Sequence, residues 1–320
     1  MELQRPLCLT EAHEPGMRHR RLVSAAQKFP PIRTAVVHPC DDASLSGALE
    51  ARDERLIVPV LVGPIAKIRK VADQAKLSLE GIDSVDAPHS HAAAEKAAAM
   101  ARGGAVEAIM KGALHTDEVM TAVVDPETGL RTERRVSHVF VLDVPHYPKP
   151  LLITDAAINI YPTLDDKRDI VQNAIDLAHA LHITTPKVAI LSAVETVTSK
   201  IKSTVEAAAL CKMADRGQIT GGVLDGPLAF DNAVSKEAAA TKQIVSPVAG
   251  DADILVTPDL EAGNMLVKQL VYLAGAEAAG IVLGARVPIM LTSRADGTLA
   301  RIASCAVAQL FVHRNQPPAL

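Results

Sequence analysis

The chain has no tryptophan, three tyrosines and four phenylalanines. Its cores must therefore be built from Ala, Val, Ile and Leu, and it lacks the aromatic platforms on which single-stranded nucleic acid stacks. Cysteine is scarce too: Cys8, Cys40, Cys211 and Cys305 are too few and too scattered for a disulfide framework or a thiolate zinc site, which favours a reducing compartment. No stretch approaches the roughly 18 consecutive apolar residues of a membrane span. The N-terminal stretch is polar, without the apolar centre of a secretory signal, so the expectation is a cytoplasmic protein. A net charge of −4 gives no electrostatic case for nucleic acid or an anionic membrane as partner. The patterns GxxxxGK[ST], GxSxG and GxGxxG are absent. NTP hydrolysis, a serine-hydrolase elbow and a standard Rossmann cofactor site are thus unsupported. His89 with His91, and His179 with His182, lack a third ligand at usable spacing; no metal site is expected, and these read as surface or cap histidines.

What is present is an alternation. At 320 residues, 48% hydrophobic and 22% charged, the chain suits one large or two ordinary globular domains. Short β-branched runs (34–38, 58–62, 108–110, 136–144, 151–154, 188–191, 223–224, 254–256, 281–283, 287–291) alternate with helical spacing over 42–51, 64–73, 91–102, 164–181, 199–216, 235–242, 262–274 and from 299 onward. That order predicts βαβ units, a largely parallel sheet and an α/β fold. Residues 1–31 show no clear period beyond a short helix over 19–28, and Pro145–Pro150 is the best candidate for a boundary. Basic residues cluster at Arg18-His19-Arg20-Arg21 and at Arg131, Arg134 and Arg135; such runs either meet phosphates or form a solvated face.

Polar residues gather where strands give way to helices, which is where open α/β sheets bind ligands. After the run 287–291 stand Ser293, Arg294 and Asp296. Asp296 alone has the plainer reading of a helix cap, with Gly297 easing the turn, but that leaves the serine and arginine unexplained. Lys111-Gly112-Ala113-Leu114-His115-Thr116 follows a strand, and Thr116 is placed either to cap a helix beside a surface lysine or to help form an anion site at that helix start. One arginine of 131–135, with Arg135 favoured, could hold phosphate in its planar fork. Thr154 to Asn159 ends a strand and suits a structural or a functional part equally, and Glu195 reads as a structural carboxylate rather than a base. Asp225-Gly226-Pro227 either fixes a turn or presents a carboxylate. In Pro258-Asp259-Leu260-Glu261-Ala262-Gly263-Asn264, capping accounts for Asp259, whereas Gly263 and Asn264 suit close approach by a ligand or another domain.

Thr292-Ser293-Arg294-Ala295-Asp296, Asp225-Gly226-Pro227-Leu228 and Pro258 to Asn264 together resemble, in order and spacing, the signatures of the phosphate acetyltransferase/phosphate butyryltransferase family, with the likeness running from about Lys111 to the end. The resemblance implies a two-domain α/β/α fold of the isocitrate/isopropylmalate dehydrogenase-like kind, with largely parallel sheets and an interdomain cleft. Residues 1–150 plus 287–320 would form the first, discontinuous domain and 151–286 the second, with the active site between them. It further implies a homodimer and reversible acyl transfer between CoA and inorganic phosphate, on short-chain acyl groups such as acetyl or butyryl. CoA is then a substrate; the reaction needs no metal, no cofactor and no enzyme nucleophile.

Carried over residue by residue, Ser293 would hydrogen-bond the CoA sulfur and Arg294 would hold phosphate or the oxyanion. His115, Thr116, Arg135, Asp225, Gly226 and Asn264 would bind phosphate or CoA. A free thiol titrates near about 8.5, so it needs a partner to act as thiolate at neutral pH. The acetyl branch places its Asp seven residues beyond the Ser, where this chain has Ala300; the butyryl branch reads Ser-Arg-x-Asp, as here, which makes Asp296 the substitute base and points to a butyryl-like or broader preference. Two alternatives remain at this point. One is a metal- and NAD-dependent hydroxyacid dehydrogenase of the same fold; the other is a non-catalytic acyl-CoA-binding paralogue.

Overall fold

The structure is a computed structural model that describes residues 13–291 and 297–315. In chain order, its first elements are α1 (Met17–Ala26), β1 (Ile32–Val37), α2 (Asp42–Asp53), β2 (Ile57–Gly63), α3 (Ile65–Ala75), β3 (Asp83–Asp86), α4 (Ser90–Arg102), β4 (Ala108–Lys111) and α5 (Thr116–Val124). Then come β5 (Ser137–Asp143), β6 (Leu151–Thr154), α6 (Leu164–Ala180), β7 (Lys187–Leu191), α7 (Lys202–Asp215), β8 (Val223–Leu228), α8 (Phe230–Val234) and α9 (Lys236–Thr241). The last are β9 (Ile254–Val256), α10 (Leu260–Ala274), β10 (Glu277–Leu283), β11 (Ile289–Met290) and α11 (Thr298–Val312).

The chain divides into two compact units, one of Met1–His19, Phe140–Val171 and Thr185–Ala278, the other of Arg20–Val139, Gln172–Thr184 and Ala279–Leu320. In the second unit the strand order is β3-β2-β1-β4-β11, all parallel, with Val282 of β10 pairing Ile289 antiparallel. β1, β2 and β4 are buried at nearly every position, as expected of parallel strands covered on both faces. α4 packs on β1 and β2 through Ala93, Ala94, Ala97, Ala98 and Ala101; a face of small residues lets its backbone approach the strands closely.

In the first unit the order is β5-β6-β9-β7-β8, parallel except where Phe140–Leu142 run against Leu151–Ile153. Its core gathers Leu151, Ile153, Leu191, Leu228, Leu255 and Val267, and α10 packs on β6. The fold is therefore mixed α/β with mostly parallel strands, as the alternation predicts.

Three local expectations change. β3 carries the sequence Asp-Ser-Val-Asp, exposed at three of its four positions, so no apolar run announced it. β8 runs on through Asp225-Gly226-Pro227, which the sequence presents as a turn after a shorter strand. The Arg18–Arg21 cluster is only partly a solvated face. The Arg18 guanidinium donates to the fully buried Asp143 at 3.0 Å, its backbone N–H donates there at 2.9 Å, and His13 meets the same carboxylate. His19, 1% exposed, contacts the Val141 carbonyl at 3.1 Å, and burial pushes its imidazole below its ordinary value.

Candidate active site

In the second unit, the parallel strands deliver three polar segments to one end of the sheet. β1 leads to His38, β4 to Lys111 through His115, and β11 to Leu291, directly before residues 292–296. Ser293, Arg294 and Asp296 lie outside the described residues. On the far side of that segment the N-cap of α11 is Gly297, and Ala300, the position of the acetyl-type Asp, is buried with its carbonyl accepting from Ser304 at 2.9 Å.

The turn after β4 is tightly fixed. Gly112 and Ala113 donate to the carbonyls of Val37 and His38, each at 2.9 Å, and the His38 ring contacts the Ala113 carbonyl at 3.0 Å. A Cβ on Gly112 would collide with the Val37 carbonyl oxygen, so only glycine lets the two turns meet this closely. The helix cap falls on His115, one residue earlier than Thr116, which is the first residue of α5. Glu118 accepts from the His115 N–H at 2.8 Å and from the Ser90 hydroxyl at 2.5 Å. The Ser90 bond, then the His115 bond, hold the Glu118 carboxyl below its ordinary value.

The sequence also offers a surface lysine here, and that reading is overturned: Lys111 is 8% exposed. Arg135 is exposed just before β5; its carbonyl accepts from Asn173 at 2.9 Å. Arg134 pairs with Asp176, and Thr132 donates to the Gly284 carbonyl at 2.6 Å. Of the three arginines, Arg134 is thus committed to a carboxylate.

In the first unit, the loop after β6 wraps around Asp155. That carboxylate, 3% exposed, accepts from the backbone N–H of Ala157 (3.0 Å), Ile158 (3.1 Å) and Asn159 (3.1 Å), and from Asn159 Nδ2 (2.6 Å). Burial pushes Asp155 up, against the pull of those donors. So complete a set of local bonds makes Asp155 the organiser of its loop. Thr257, after β9, donates toward the Asp155 carbonyl at 3.1 Å, and Asn264 Nδ2 donates to the Ala156 carbonyl at 3.1 Å. Asp259 caps α10 through the Ala262 N–H at 2.8 Å, as read from the sequence. Asp225 is half-buried on β8, its Oδ1 accepting from the Gly226 N–H at 2.8 Å. Gly226 lies against Ile190, where a Cβ would stand 2.7 Å from the carbonyl oxygen. Glu195 accepts from Lys242 at 3.3 Å and Asn232 at 3.4 Å, the structural carboxylate expected.

His115 and Thr116 thus stand together at the start of α5, and Asn264 joins the Asp155 loop, while the Arg135 carbonyl is tied to α6 by Asn173 and Asp225 bonds its own strand. Among the described residues no group of His, Cys, Asp and Glu could hold a metal ion, and no helix is long and apolar enough to cross a membrane. Lys111 and Asp155 stand in segments that the sequence singles out, but without a role of their own. Their one signal was position, each at a strand's end.

Comparison with known proteins follows the same lines. A family model described as "Phosphate acetyl/butaryl transferase" matches residues 90–308. The chain is 63% identical over 299 residues to a phosphate acetyltransferase of Rhizobium meliloti, covering 93% of this chain and 95% of that one. It is 39% identical over 295 residues to a phosphate butyryltransferase of Clostridium beijerinckii, covering 92% and 98%. Among solved structures, a branched-chain phosphotransacylase from Enterococcus faecalis V583 superposes with a TM-score of 0.77 at 30% identity, over 88% of this chain and 99% of that one. The chain belongs to the phosphate acetyl/butyryltransferase family of acyltransferases.

Proposed function

We propose that the protein catalyses reversible acyl transfer, acyl-CoA plus phosphate giving acyl phosphate plus CoA, on short-chain acyl groups. Family membership carries this reading and sets the hydroxyacid-dehydrogenase alternative aside. A phosphate oxygen attacks the thioester carbonyl, the C–S bond breaks as the new C–O bond forms, and the proton lost by phosphate ends on the CoA sulfur. Ser293 hydrogen-bonds that sulfur, Arg294 stabilises the oxyanion or the phosphate, and Asp296 handles the proton. Assigning the proton to Asp296 has support from Ala300, whose buried methyl offers no titratable group at the acetyl-type position. His115, Thr116, Arg135, Asp225, Gly226 and Asn264 bind phosphate or CoA. The reading places the reaction in a cleft between a domain of residues 1–150 plus 287–320 and one of 151–286, in an isocitrate/isopropylmalate dehydrogenase-like fold. It needs no cofactor, with CoA as substrate.

The working form in this reading is a cytoplasmic homodimer. The outer face of α10 supports dimerisation: Met265, Tyr272 and Leu273 are all exposed there. Ile160 and Tyr161 join them, since the Ile160 carbonyl accepts from the Leu260 N–H at 3.1 Å and Tyr161 bonds Glu261 at 3.3 Å. Exposed apolar side chains gathered on one helix and its neighbouring loop suit an interface. Light scattering should give twice the monomer mass, and Leu273→Asp should lower it.

The enzymatic test uses purified protein, acetyl-, propionyl- or butyryl-CoA, phosphate and a thiol reagent. Phosphate-dependent release of CoA is expected; its absence with all three thioesters removes the acyl-transfer reading and leaves the acyl-CoA-binding paralogue. Arg294→Ala should cut turnover at least about 100-fold, the scale of one oxyanion donor.

A further inference from the structure

We propose that the hollow between α3 and the edge of the second unit's sheet binds a free α-amino acid with an aliphatic side chain. The amino acid's carboxylate meets Arg69, its ammonium meets Asp73, and its side chain lies against an apolar wall. The proposal goes beyond the acyl-transfer reading and does not depend on it.

The hollow follows from the path of the chain. α3 carries the crossover from β2 to β3, and β3 is the edge strand, so no further strand among the described residues closes that side. Leu61 pairs in register with Ser84, which sets both on one face of the sheet. Ile65, Ile68 and Ala72 recur at helical spacing above that face, and Leu61, Ile68 and Ala72 are buried. At its far end α3 stops on Lys76, in the left-handed region at φ 56°, and the chain turns back. The Leu77 N–H donates to the Ala72 carbonyl at 2.9 Å, and the Ile82 N–H to the Leu79 carbonyl at 3.2 Å. Leu77, Leu79 and Ile82, all half-buried, form the remaining wall. The cavity volume is about 310 Å³, at the low end of the roughly 300–1,000 Å³ of small-ligand pockets. That size suits a molecule of amino-acid dimensions and is too small for a nucleotide.

Two opposite charges at the rim are unspent. Arg69 and Asp73 lie one turn apart on α3, both exposed and both lining the hollow. Neither side chain has an ion pair or hydrogen bond among the described residues. The other carboxylates of this edge are engaged: Asp83 accepts from Arg33 at 2.6 Å, and Asp86 from the Ile65 N–H at 3.2 Å. A larger hollow between α4 and α5, of about 530 Å³, gives the contrast. There Glu118 accepts from Ser90, Asp125 accepts from Thr128, and Lys96 donates to the Asp86 carbonyl.

The pairing of charges selects the ligand. An apolar wall alone suits any hydrocarbon, and an arginine alone suits any carboxylate. A cation and an anion one helical turn apart, about 5–6 Å between Cβ atoms, match the two charges on the α-carbon of an amino acid. Each makes a charge-assisted hydrogen bond, and the guanidinium fork is shaped for a carboxylate. The aliphatic side chain then leaves water together with the half-buried leucines and isoleucines of the wall.

The experiment adds L-leucine to the wild-type chain, without CoA or phosphate, and measures calorimetric affinity together with hydrogen exchange by mass spectrometry. Alanine, 3-methylbutanoate and 3-methylbutylamine are the controls, lacking in turn the long side chain, the ammonium and the carboxylate. Leucine should bind and slow exchange in peptides spanning 65–84. Each control should bind at least about tenfold more weakly, the scale of one charge-assisted hydrogen bond or a few buried methylenes. Arg69→Gln and Asp73→Asn change exposed side chains outside the core, and each should weaken leucine by at least about tenfold as well. Absence of both heat and protection with leucine overturns the proposal. So does 3-methylbutanoate binding as tightly as leucine, which leaves a carboxylate site only. Undiminished binding by either variant also overturns it, because leucine then sits without the charge assigned to it. CoA release tests the acyl-transfer reading separately, and neither result bears on the other.

Discussion

Asn264 donates from Nδ2 to the carbonyl oxygen of Ala156 at 3.1 Å, joining α10 to the loop that Asp155 organises. The same side chain is proposed to meet substrate, so its two duties are separable by measurement. Asn264→Ala should lower stability by about 1 kcal/mol, the net worth of an ordinary hydrogen bond, seen as a shifted urea midpoint. A fall in turnover at a temperature where the variant remains folded would report the substrate contact; unchanged turnover would confine Asn264 to a structural part.

Gly263, one residue earlier, gives a test with a sign. Gly→Ala inside a helix ordinarily stabilises by up to about 1 kcal/mol. Here an added Cβ would stand 2.7 Å from Thr257 Oγ1, 2.8 Å from the Asp155 carbonyl and 2.9 Å from Ala156 Cβ. The helix would have to lift from the loop, so Gly263→Ala should destabilise by about 1–3 kcal/mol in denaturant titration.

The Lys167–Glu206 pair joins α6 to α7 at 2.6 Å, with Lys202 adding a second contact to Glu206 at 3.0 Å. Burial works against the Glu206 charge, but the bonds from the two lysines outweigh it and hold the carboxyl below its ordinary 4.5. A carboxyl lowered on folding contributes stability that is present above its unfolded value and lost as pH falls through the folded one. Wild-type stability should therefore decline below about pH 4.5. Glu206→Gln should be less stable at pH 7, with Lys167 left buried, and should show a shallower acid decline in chemical denaturation at each pH.

Thiol chemistry offers a simple check of the core. Burial pushes Cys211 and Cys305 up to about 12 and raises Cys40 as well. Thiolate is the reactive form, so a Cys8→Ser protein should react slowly with an aromatic disulfide reagent at pH 8 and fully once unfolded. Rapid labelling of Cys305 in native protein, read by peptide mass spectrometry, would contradict the packing of α11.

Much of the architecture was legible because parallel strands are written as apolar runs. Ile254–Val256 has the same bounds in sequence and structure, and α6 ends one residue from its expected limit. What escaped shares a cause. The strand Asp83–Asp86 is an exposed edge with no apolar pattern, and Gly226-Pro227 carries the local signature of a turn, while the pairs Ala189–Asp225 and Leu191–Leu228 on either side of a register shift keep the strand running past it. A surface position is one of two readings that the sequence leaves for Lys111, since burial of a long cation depends on neighbours remote in sequence, here on strands β1 and β11. Asp155 shows the converse: its partners are all within four residues, yet only the folded loop reveals that they converge on one carboxylate.

The buried Asp143 has a further consequence for how the chain is made. Its partners, His13 and Arg18, precede it by 130 and 125 residues, so neither can meet its carboxylate until that much more chain has left the ribosome. At usual elongation speeds the interval is on the order of ten seconds, during which the leading end remains open to proteases and chaperones. The moment at which the Asp143 cluster closes is thus set by the timing of translation.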